Sequence, residues 1–276
     1  MEAEAIGMPF YVVDQQYTLK MGEFLMEKIT SRKNPLITHI RKLSTDRSYR
    51  RECGEFLGDG VKLLEEAVKW GAPLTTVVVA EGTRLPELPA QVRLVEVPED
   101  VMESISPMKA PQGALFLCRM SEDAKPERLE GARYLVLDGL QDPGNVGTIW
   151  RTADALGADG LLLVNGCADP WNHKTVRATM GACFRMNAFE VNLEELPGLL
   201  ERSELPLYST ALREDTVDLR DADLSRCAVV IGSEGKGVSE ALLSMSQKTM
   251  KIPMRDRCES LNAAAAAAVV LWEMAR

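Results

Sequence analysis

Hydrophobic residues along this chain form short runs that alternate with segments of helical spacing. In the first half, a helix is predicted at residues 57–68, where Leu, Val and Ala recur at helical spacing, and it should end before Gly71-Ala72-Pro73. A shorter helix is predicted from Pro98. Strands are predicted at three apolar runs, 75–80, 92–97 and 113–118. This half therefore predicts a small α/β unit.

The alternation restarts after residues 119–132, a charged segment with Pro126 and Gly131 that is predicted to be a linker. Strands are predicted at 134–140, 160–165, 186–191, 207–212, 227–235 and 248–254. Helices are predicted between them at 145–157, 172–182, 193–203 and 238–245. Such alternation favours a mostly parallel sheet covered on both faces, with ligands bound beyond the carboxyl ends of its strands.

Six consecutive alanines, Ala263–Ala268, predict a terminal helix whose first turn is smooth enough for another backbone to approach closely. Ser260 and Asn262 are both candidates for its N-cap. From this segment alone, a terminal helix packed on a core with an ordinary cap is the favoured explanation. Bulky replacements at Ala264 or Ala267 would disturb only the first of these two arrangements.

Composition narrows the class of protein. Six cysteines without a C-x-x-C pair and only two histidines argue against a zinc site or a disulfide framework, so we expect no metal and a reducing, cytoplasmic location. No run of about eighteen apolar residues and no signal peptide is apparent. Residues 1–25 lack a clear period and are expected to be a poorly ordered extension, with a domain starting at Met26.

The net charge of −9 counts against binding of polyanions by the whole surface, but the charge is unevenly distributed. Residues 26–51 hold eight Lys and Arg against two acidic residues, a net of +6 that leaves −15 for the rest. This window is either a solvated helix face or a surface for the phosphates of RNA or DNA. The candidate phosphate contacts are Lys33, Arg41, Lys42, Arg50 and Arg51.

Three strand ends in the second half carry unusual polar loops. The first contains the turn Asp142-Pro143-Gly144, then Asn145 as a good N-cap, with Arg151 nearly two helical turns further on. The second surrounds Ser233, Glu234 and Lys236 with three glycines, and the third leads from Pro253 to Ser260 and Asn262. Taken singly, each loop also has a purely structural explanation.

Nucleotide-binding motifs do not fit the glycine spacing. A P-loop requires Ser or Thr after its Lys, but Gly237 follows Lys236, and G-x-G-x-x-G fails because Glu240 stands where the last glycine belongs. Ser233 lies in G-S-E-G and not in the G-x-S-x-G of a nucleophile elbow. These failures disfavour a nucleotide-dependent oxidoreductase and a transferase on another α/β fold.

Together the loops resemble the three motifs of the SpoU (TrmH-type) branch of the SPOUT RNA methyltransferases. The matching segments are "NVGTIWRTA" at 145–153, "IGSEGKGVS" at 231–239 and "IPMRDRCESLN" at 252–262. Residues 34–118 also resemble the small ribosomal-protein-like substrate-binding domain often fused in front of that catalytic domain. This second resemblance depends on "NPLITHIRKL" and "GEFLGDGVKLLEEA".

The resemblance implies an α/β protein with an RNA-binding domain at 26–118 and a parallel-sheet SPOUT domain at 133–276 that ends in a trefoil knot. It implies a homodimer that uses S-adenosylmethionine to methylate a ribose 2′-hydroxyl in ribosomal RNA, or alternatively in tRNA. A non-catalytic RNA-binding or ribosome-assembly factor is the other alternative. The implied catalytic residues are Asn145, Arg151, Glu234, Ser260 and Asn262, and the implied cofactor contacts are Gly232, Ser233, Gly235, Ile252, Pro253 and Leu261.

Within the implied catalytic set, we expect Arg151 to hold a phosphate or to stabilise alkoxide charge, because a guanidinium does not lose its proton in proteins. The three polar residues Glu234, Ser260 and Asn262 are expected to orient the reactants.

Overall fold

The computed structural model of the 276-residue chain describes residues 16–21, 24–120, 126–211, 213, 216–255, 257 and 260–276. By its internal contacts the chain divides into two compact units, Met1–Met120 and Ser121–Arg276. Over the ranges just given, no helix is long and apolar enough to cross a membrane.

Over its described residues, the first unit is a six-stranded mixed sheet with four helices. Its strands are β1 (Gln16–Met21), β2 (Phe24–Ile29), β3 (Glu55–Asp59), β4 (Leu74–Ala80), β5 (Arg93–Val97) and β6 (Ala114–Arg119). Its helices are α1 (Pro35–Thr45), α2 (Arg47–Cys53), α3 (Val61–Lys69) and α4 (Glu99–Ile105). The strand order is β1-β2-β5-β4-β6-β3, in which β2, β5 and β4 run parallel and the other pairings are antiparallel.

Strand β3 corrects the helix predicted for residues 57–68. Leu57 is fully buried within β3, which pairs antiparallel with β6, and α3 begins only at Val61. Gly54 in the left-handed region ends α2, and Gly60 with φ 102° turns the chain from β3 into α3. The helical spacing of Leu57 was misleading because sheet pairing, a non-local interaction, decided its conformation.

Strand β1 lies before the domain boundary that the sequence suggested at Met26, and β2 crosses it. It pairs antiparallel with β2, from Gln16 opposite Ile29 to Met21 opposite Phe24. Residues 1–25 were expected to be poorly ordered. For residues 1–15 and 22–23 this expectation lies outside the described residues. The sheet of the first unit thus begins earlier than the predicted domain.

In the part of the chain that the structure describes, the second unit contains a seven-stranded sheet and five helices. Its strands are β7 (Arg133–Asp138), β8 (Gly160–Val164), β9 (Asn187–Glu190), β10 (Leu207–Thr210), β11 (Val217–Asp218), β12 (Cys227–Gly232) and β13 (Lys248–Lys251). Its helices are α5 (Pro143–Ala155), α6 (His173–Ala178), α7 (Leu196–Arg202), α8 (Glu240–Met245) and α9 (Ala263–Met274), with short 3₁₀ turns at Ala182–Phe184 and Leu219–Asp221.

The described strand pairings of this second sheet are all parallel, in the order β11-β13-β10-β12-β7-β8-β9. The predicted parallel sheet is confirmed. Its central strands β7, β8 and β12 are almost continuously buried, as expected for a sheet covered on both faces. Among the described strands of this sheet, the two-residue edge strand β11 was the one not predicted from the sequence.

Part of the predicted linker belongs to the second unit. Leu129 is 2% exposed in the core of that unit, and its N–H donates to the Ser203 hydroxyl at 2.9 Å. Arg119, at the other end of the predicted linker, is the last residue of β6. Residues 121–125 lie outside the described part of the chain.

Helix α5 packs against both α6 and α9. Gly147 makes the first of these contacts close, since a Cβ there would lie 2.5 Å from the Thr175 carbonyl oxygen and 2.6 Å from Ala178 Cβ. The glycine of the first motif is therefore explained by helix packing.

Candidate active site

The three motif loops meet because their strands are neighbours in a parallel sheet. β12 lies between β7 and β10, and β13 pairs with the other side of β10. The loops that follow β7, β12 and β13 consequently leave the sheet at one edge, where parallel α/β sheets bind ligands. Sequence order alone separates the first and third loops by more than a hundred residues.

A hydrogen-bonded chain of side chains connects one residue from each loop. Asn262 Nδ2 donates to Asn145 Oδ1 at 3.2 Å, and Asn145 Nδ2 donates to Glu234 Oε1. Asn262 also caps α9, because its Oδ1 accepts the N–H groups of Ala264 and Ala265 at 2.9 and 3.2 Å. Three of the five predicted catalytic residues are thus brought together.

The N-cap of α5 differs from the prediction. The Asp142 carboxylate accepts the Gly144 N–H at 2.7 Å, so the helix begins at Pro143 and Asn145 lies within its first turn. Since Asp142 caps the helix, the Asn145 amide is available for its contacts with Glu234 and Asn262.

Arg151 and Ser260 do not join this network. Both are exposed, and the side chain of neither makes a hydrogen bond or ion pair with the described part of the chain. Arg151 lies six residues after Asn145, which places it about 9 Å along α5 and about 120° around the helix. Arg151 therefore points away from the Asn145 side of the helix.

The glycine-rich loop folds back on itself. The N–H of Ser233 donates to the Gly237 carbonyl at 3.1 Å, and the N–H of Gly237 donates to the Ser233 carbonyl at 2.8 Å. A Cβ on Gly232 would lie 2.1 Å from the Gly237 carbonyl carbon, so the loop's own backbone occupies that space. A Cβ on Gly235, by contrast, would meet no neighbouring atom within 4 Å.

Sequence reasoning missed a buried carboxylate that holds this loop. Asp138, the last residue of β7, is 4% exposed. Its Oδ2 accepts the Ser239 N–H at 2.6 Å, and its Oδ1 accepts the Asn165 amide at 2.6 Å. An acidic residue at the end of an otherwise apolar strand was the available signal, because a buried carboxylate needs hydrogen-bond donors.

A cavity of about 130 Å³ lies beside the third loop, with a mainly apolar lining. It includes two of the predicted cofactor contacts, Ile252 and Leu261, but its lining does not include Gly232, Ser233, Gly235 or Pro253. The other lining residues are Thr210, Ala211, Met250, Lys251, Met254 and Ala266. Thr210 and Ala211 were missed, although they lie at the carboxyl end of β10, where ligands were expected.

Two buried cysteines, Cys167 and Cys227, lie in or beside the sheet. Burial raises the pKa of Cys167 to about 11 and that of Cys227 to about 12, so both stay protonated at neutral pH. Among the described residues, no group of three or more His, Cys, Asp or Glu side chains could hold a metal ion.

The basic window of the first unit divides into surface and structural residues. Lys33, Lys42 and Arg51 are exposed, and the Lys42 ammonium lies 5.0 Å from the centre of the Tyr49 ring. Arg50 is only 2% exposed and donates to the Leu43 carbonyl at 2.6 Å. The Arg50 prediction is therefore corrected: a buried guanidinium bound to the backbone cannot contact a phosphate on the surface.

Arg41 is also largely committed to the protein. Its guanidinium donates to the Ser104 hydroxyl at 2.9 Å, to the Ser104 carbonyl at 3.3 Å and to the Arg32 carbonyl at 3.0 Å. These bonds tie α1 to the end of α4. The surface that remains for an anion is smaller than the sequence suggested.

Two known protein families match this chain. Residues 132–272 match the SpoU rRNA Methylase family, and residues 34–115 match the MRM3-like substrate binding domain. The chain belongs to the SpoU rRNA methylase family. The SpoU match contains all three motif loops, and the predicted resemblance is confirmed.

Two curated relatives resemble this SpoU protein over nearly their whole length. The 23S rRNA (guanosine(2553)-2'-O)-methyltransferase RlmP of Bacillus subtilis is 34% identical over 90% of this chain and 99% of its own. The 23S rRNA (uridine(2479)-2'-O)-methyltransferase of Streptomyces viridochromogenes is 32% identical over 90% and 92%. These two relatives modify different nucleotides.

A solved structure supports the same fold. The AdoMet-bound rRNA methyltransferase of Sinorhizobium meliloti has a TM-score of 0.79 and 31% sequence identity, over 92% of this chain and 98% of its own. The SPOUT methyltransferase fold predicted from the sequence is thereby confirmed for this SpoU protein.

Proposed function

We propose that this protein transfers the methyl group of S-adenosylmethionine to a ribose 2′-hydroxyl, most closely as relatives do in 23S ribosomal RNA. The observation that carries the proposal is the hydrogen-bonded chain Asn262–Asn145–Glu234 beside a cavity lined by Ile252 and Leu261. Both relatives named above act on 23S rRNA at a 2′-oxygen.

The cofactor is held at the edge of the sheet by the second and third loops. The mainly apolar cavity suits the faces of an adenine ring, and its volume of about 130 Å³ accommodates part of the molecule, because whole-ligand pockets generally measure about 300–1,000 Å³. When bound, S-adenosylmethionine supplies a methyl group activated by a positively charged sulfur. The protein's task is then to align the hydroxyl with that methyl group.

Arg151 binds a phosphate of the RNA next to the target ribose. Its exposure and its lack of a partner within the described chain support this role, and a planar guanidinium binds phosphate through two parallel hydrogen bonds. Arg151→Lys should raise the KM for RNA strongly while leaving the affinity for S-adenosylmethionine unchanged. Turnover close to that of the wild type would contradict the need for the guanidinium fork.

A second copy of the chain covers the outer face of α9. Val269 and Trp272 lie on one side of this helix and are 38% and 62% exposed, which is unusual for large apolar side chains. Sedimentation should detect a dimer that Trp272→Glu dissociates, whereas Met245→Glu, at an exposed position of α8, should leave it intact. A monomeric wild-type protein would exclude this assembly.

A trefoil knot is also proposed, supported by the position of β13 between the consecutive strands β10 and β11.

The first unit binds the RNA through its exposed basic residues. The match to a substrate-binding domain and the exposure of Lys33, Lys42 and Arg51 support this role. Reversing these three charges should weaken RNA binding and flatten its dependence on salt, since each lost phosphate contact reduces the number of released counterions. Unchanged affinity and unchanged salt slope would assign RNA binding to another surface.

One experiment tests the whole proposal. Mapping of 2′-O-methylated nucleotides by mass spectrometry, in a strain lacking this protein and in its parent, should show one ribosomal RNA position that loses its methyl group. A loss confined to tRNA would favour the tRNA alternative, and no loss would favour a ribosome-assembly factor.

Calorimetry should detect binding of S-adenosylmethionine but not of NAD or ATP. We place the protein in the cytoplasm, with its ribosomal substrate.

A further inference from the structure

The N-terminus of α9 determines the direction of the hydrogen-bonded chain. Asn262 Oδ1 already accepts two backbone N–H groups, from Ala264 and Ala265, so this atom is the carbonyl oxygen of the amide. The Asn262 nitrogen must then donate, and it donates to the oxygen of Asn145. The Asn145 nitrogen is consequently directed at Glu234. Every bond in the chain therefore donates toward the Glu234 carboxylate, which must accept.

Three described carboxylates lie in or beside the first and second motif loops, and their surroundings differ. Asp138 is buried, and both of its oxygens accept protein donors. Asp142 caps α5 and is not connected to the third loop. Glu234 is exposed, is joined through Asn145 and Asn262 to the loop that lines the cavity, and within the described chain makes no hydrogen bond through Oε2.

We propose that Glu234 Oε2 is the proton acceptor of the methyl transfer, an inference that depends on the function proposed above. The ribose 2′-oxygen forms a C–O bond to the methyl carbon while the C–S bond breaks and its electron pair stays on sulfur. The hydroxyl proton passes to Glu234, which becomes a neutral carboxylic acid. The positive charge of the sulfonium and the negative charge of the carboxylate are both removed, so the step balances.

A carboxylate is a sufficient base for this step. As the C–O bond forms, the ribose oxygen acquires positive charge and its proton becomes far more acidic than in the free hydroxyl. Arg151 cannot accept that proton, because a guanidinium has no free lone pair at neutral pH. A positioned general base typically contributes about 10²- to 10⁴-fold to the rate.

The decisive variant is Glu234→Gln. The glutamine keeps the length of the side chain and an oxygen that accepts from Asn145, but it loses the basic carboxylate. We expect kcat to fall by about 10²- to 10⁴-fold. The Kd for S-adenosylmethionine, measured by calorimetry without RNA, should stay within about threefold of the wild type if no binding contact is lost. The matched control is Asp142→Asn, which preserves the helix cap and should retain normal turnover.

Chemical rescue distinguishes a proton acceptor from a residue that only positions others. In Glu234→Ala, added formate or acetate should restore turnover by about tenfold or more, whereas chloride at the same ionic strength should not. The proposal is overturned if Glu234→Gln keeps a kcat near the wild-type value, if it loses cofactor binding, or if carboxylates rescue no better than chloride. Failure of the wild-type protein to methylate any RNA would instead refute the proposed function.

Discussion

Asn262 has two separable tasks, and substitutions can test each by itself. Its side-chain oxygen caps α9, and its nitrogen connects the helix to Asn145. Asn262→Ala removes both interactions. Asn262→Asp keeps the cap, because Asp and Asn cap helices equally well, but it replaces the donor with an oxygen that repels Asn145 Oδ1.

The two variants should differ in stability but not in activity. Loss of the cap costs about 1 kcal/mol, and loss of an exposed hydrogen bond adds about 0.5 kcal/mol, so Asn262→Ala should be less stable by about 1.5 kcal/mol. For a unit of this size that lowers Tm by roughly 3–6 °C. In Asn262→Asp a carboxylate at the N-terminus of a helix gains about 0.3–1 kcal/mol from the helix dipole, which offsets the lost hydrogen bond. Its Tm should therefore stay near that of the wild type.

Tryptophan fluorescence on heating measures the stability term, since Trp150, Trp171 and Trp272 lie in the second unit. Turnover with S-adenosylmethionine and ribosomal RNA measures the catalytic activity. Both variants should lose most of this activity because Asn145 is no longer oriented. Equal destabilisation of the two variants would refute the capping argument. Full activity of Asn262→Asp would show that the link to Asn145 has no catalytic consequence.

Three further predictions follow from packing and burial. Gly147→Ala should lower the stability by about 1–3 kcal/mol through its clash with α6, while Gly198→Ala, whose Cβ would approach only the flexible end of Arg202, should be neutral or stabilising in thermal unfolding. Gly232→Ala should lower both Tm and turnover because its Cβ would collide with the backbone of Gly237, whereas Gly235→Ala should keep the wild-type Tm; an equal loss in both would contradict the assignment. Burial raises the pKa of Cys167 from 9.0 to about 11. Between these two pH values the thiol keeps its proton in the folded protein but loses it in the unfolded protein. The free energy of unfolding should therefore be independent of this thiol below about pH 9 and should fall as the pH rises toward 11. Urea titrations at several pH values should show that the free energy of unfolding falls less steeply with pH in Cys167→Ala than in the wild type.

The elements of the second unit were readable from the sequence because each depends on local pattern. Apolar runs long enough for a buried strand, and amphipathic segments ended by glycine, occur in strict alternation, and nearly every predicted element is present. The same rules were wrong at Leu57 because a single residue fits both a helix and a strand when its neighbours are apolar. Only its pairing with β6 decided between them.

Candidate site residues were recognised by motif, but their individual roles were not. Asn145, Glu234 and Asn262 come together as the three-loop arrangement suggested. Arg50 looked like its basic neighbours in sequence, yet it is buried, because one face of the short helix α2 packs inward. Asp138 attracted no attention, since the partners of a lone acidic residue at a strand end lie 27 and 101 residues away.

The sequence by itself determined which segments become strands and helices, where the glycine-rich loop lies and which polar side chains follow the strands, because propensity and periodicity act over a few residues. Only the tertiary structure decided that Asn262 caps α9 while it holds Asn145, that the hydrogen bonds all run toward Glu234, and that Gly232 is required by the loop's own backbone. These features depend on the order β13-β10-β12-β7, which sets distant loops side by side. No local pattern in the chain encodes that order, since it follows from the packing of the whole sheet.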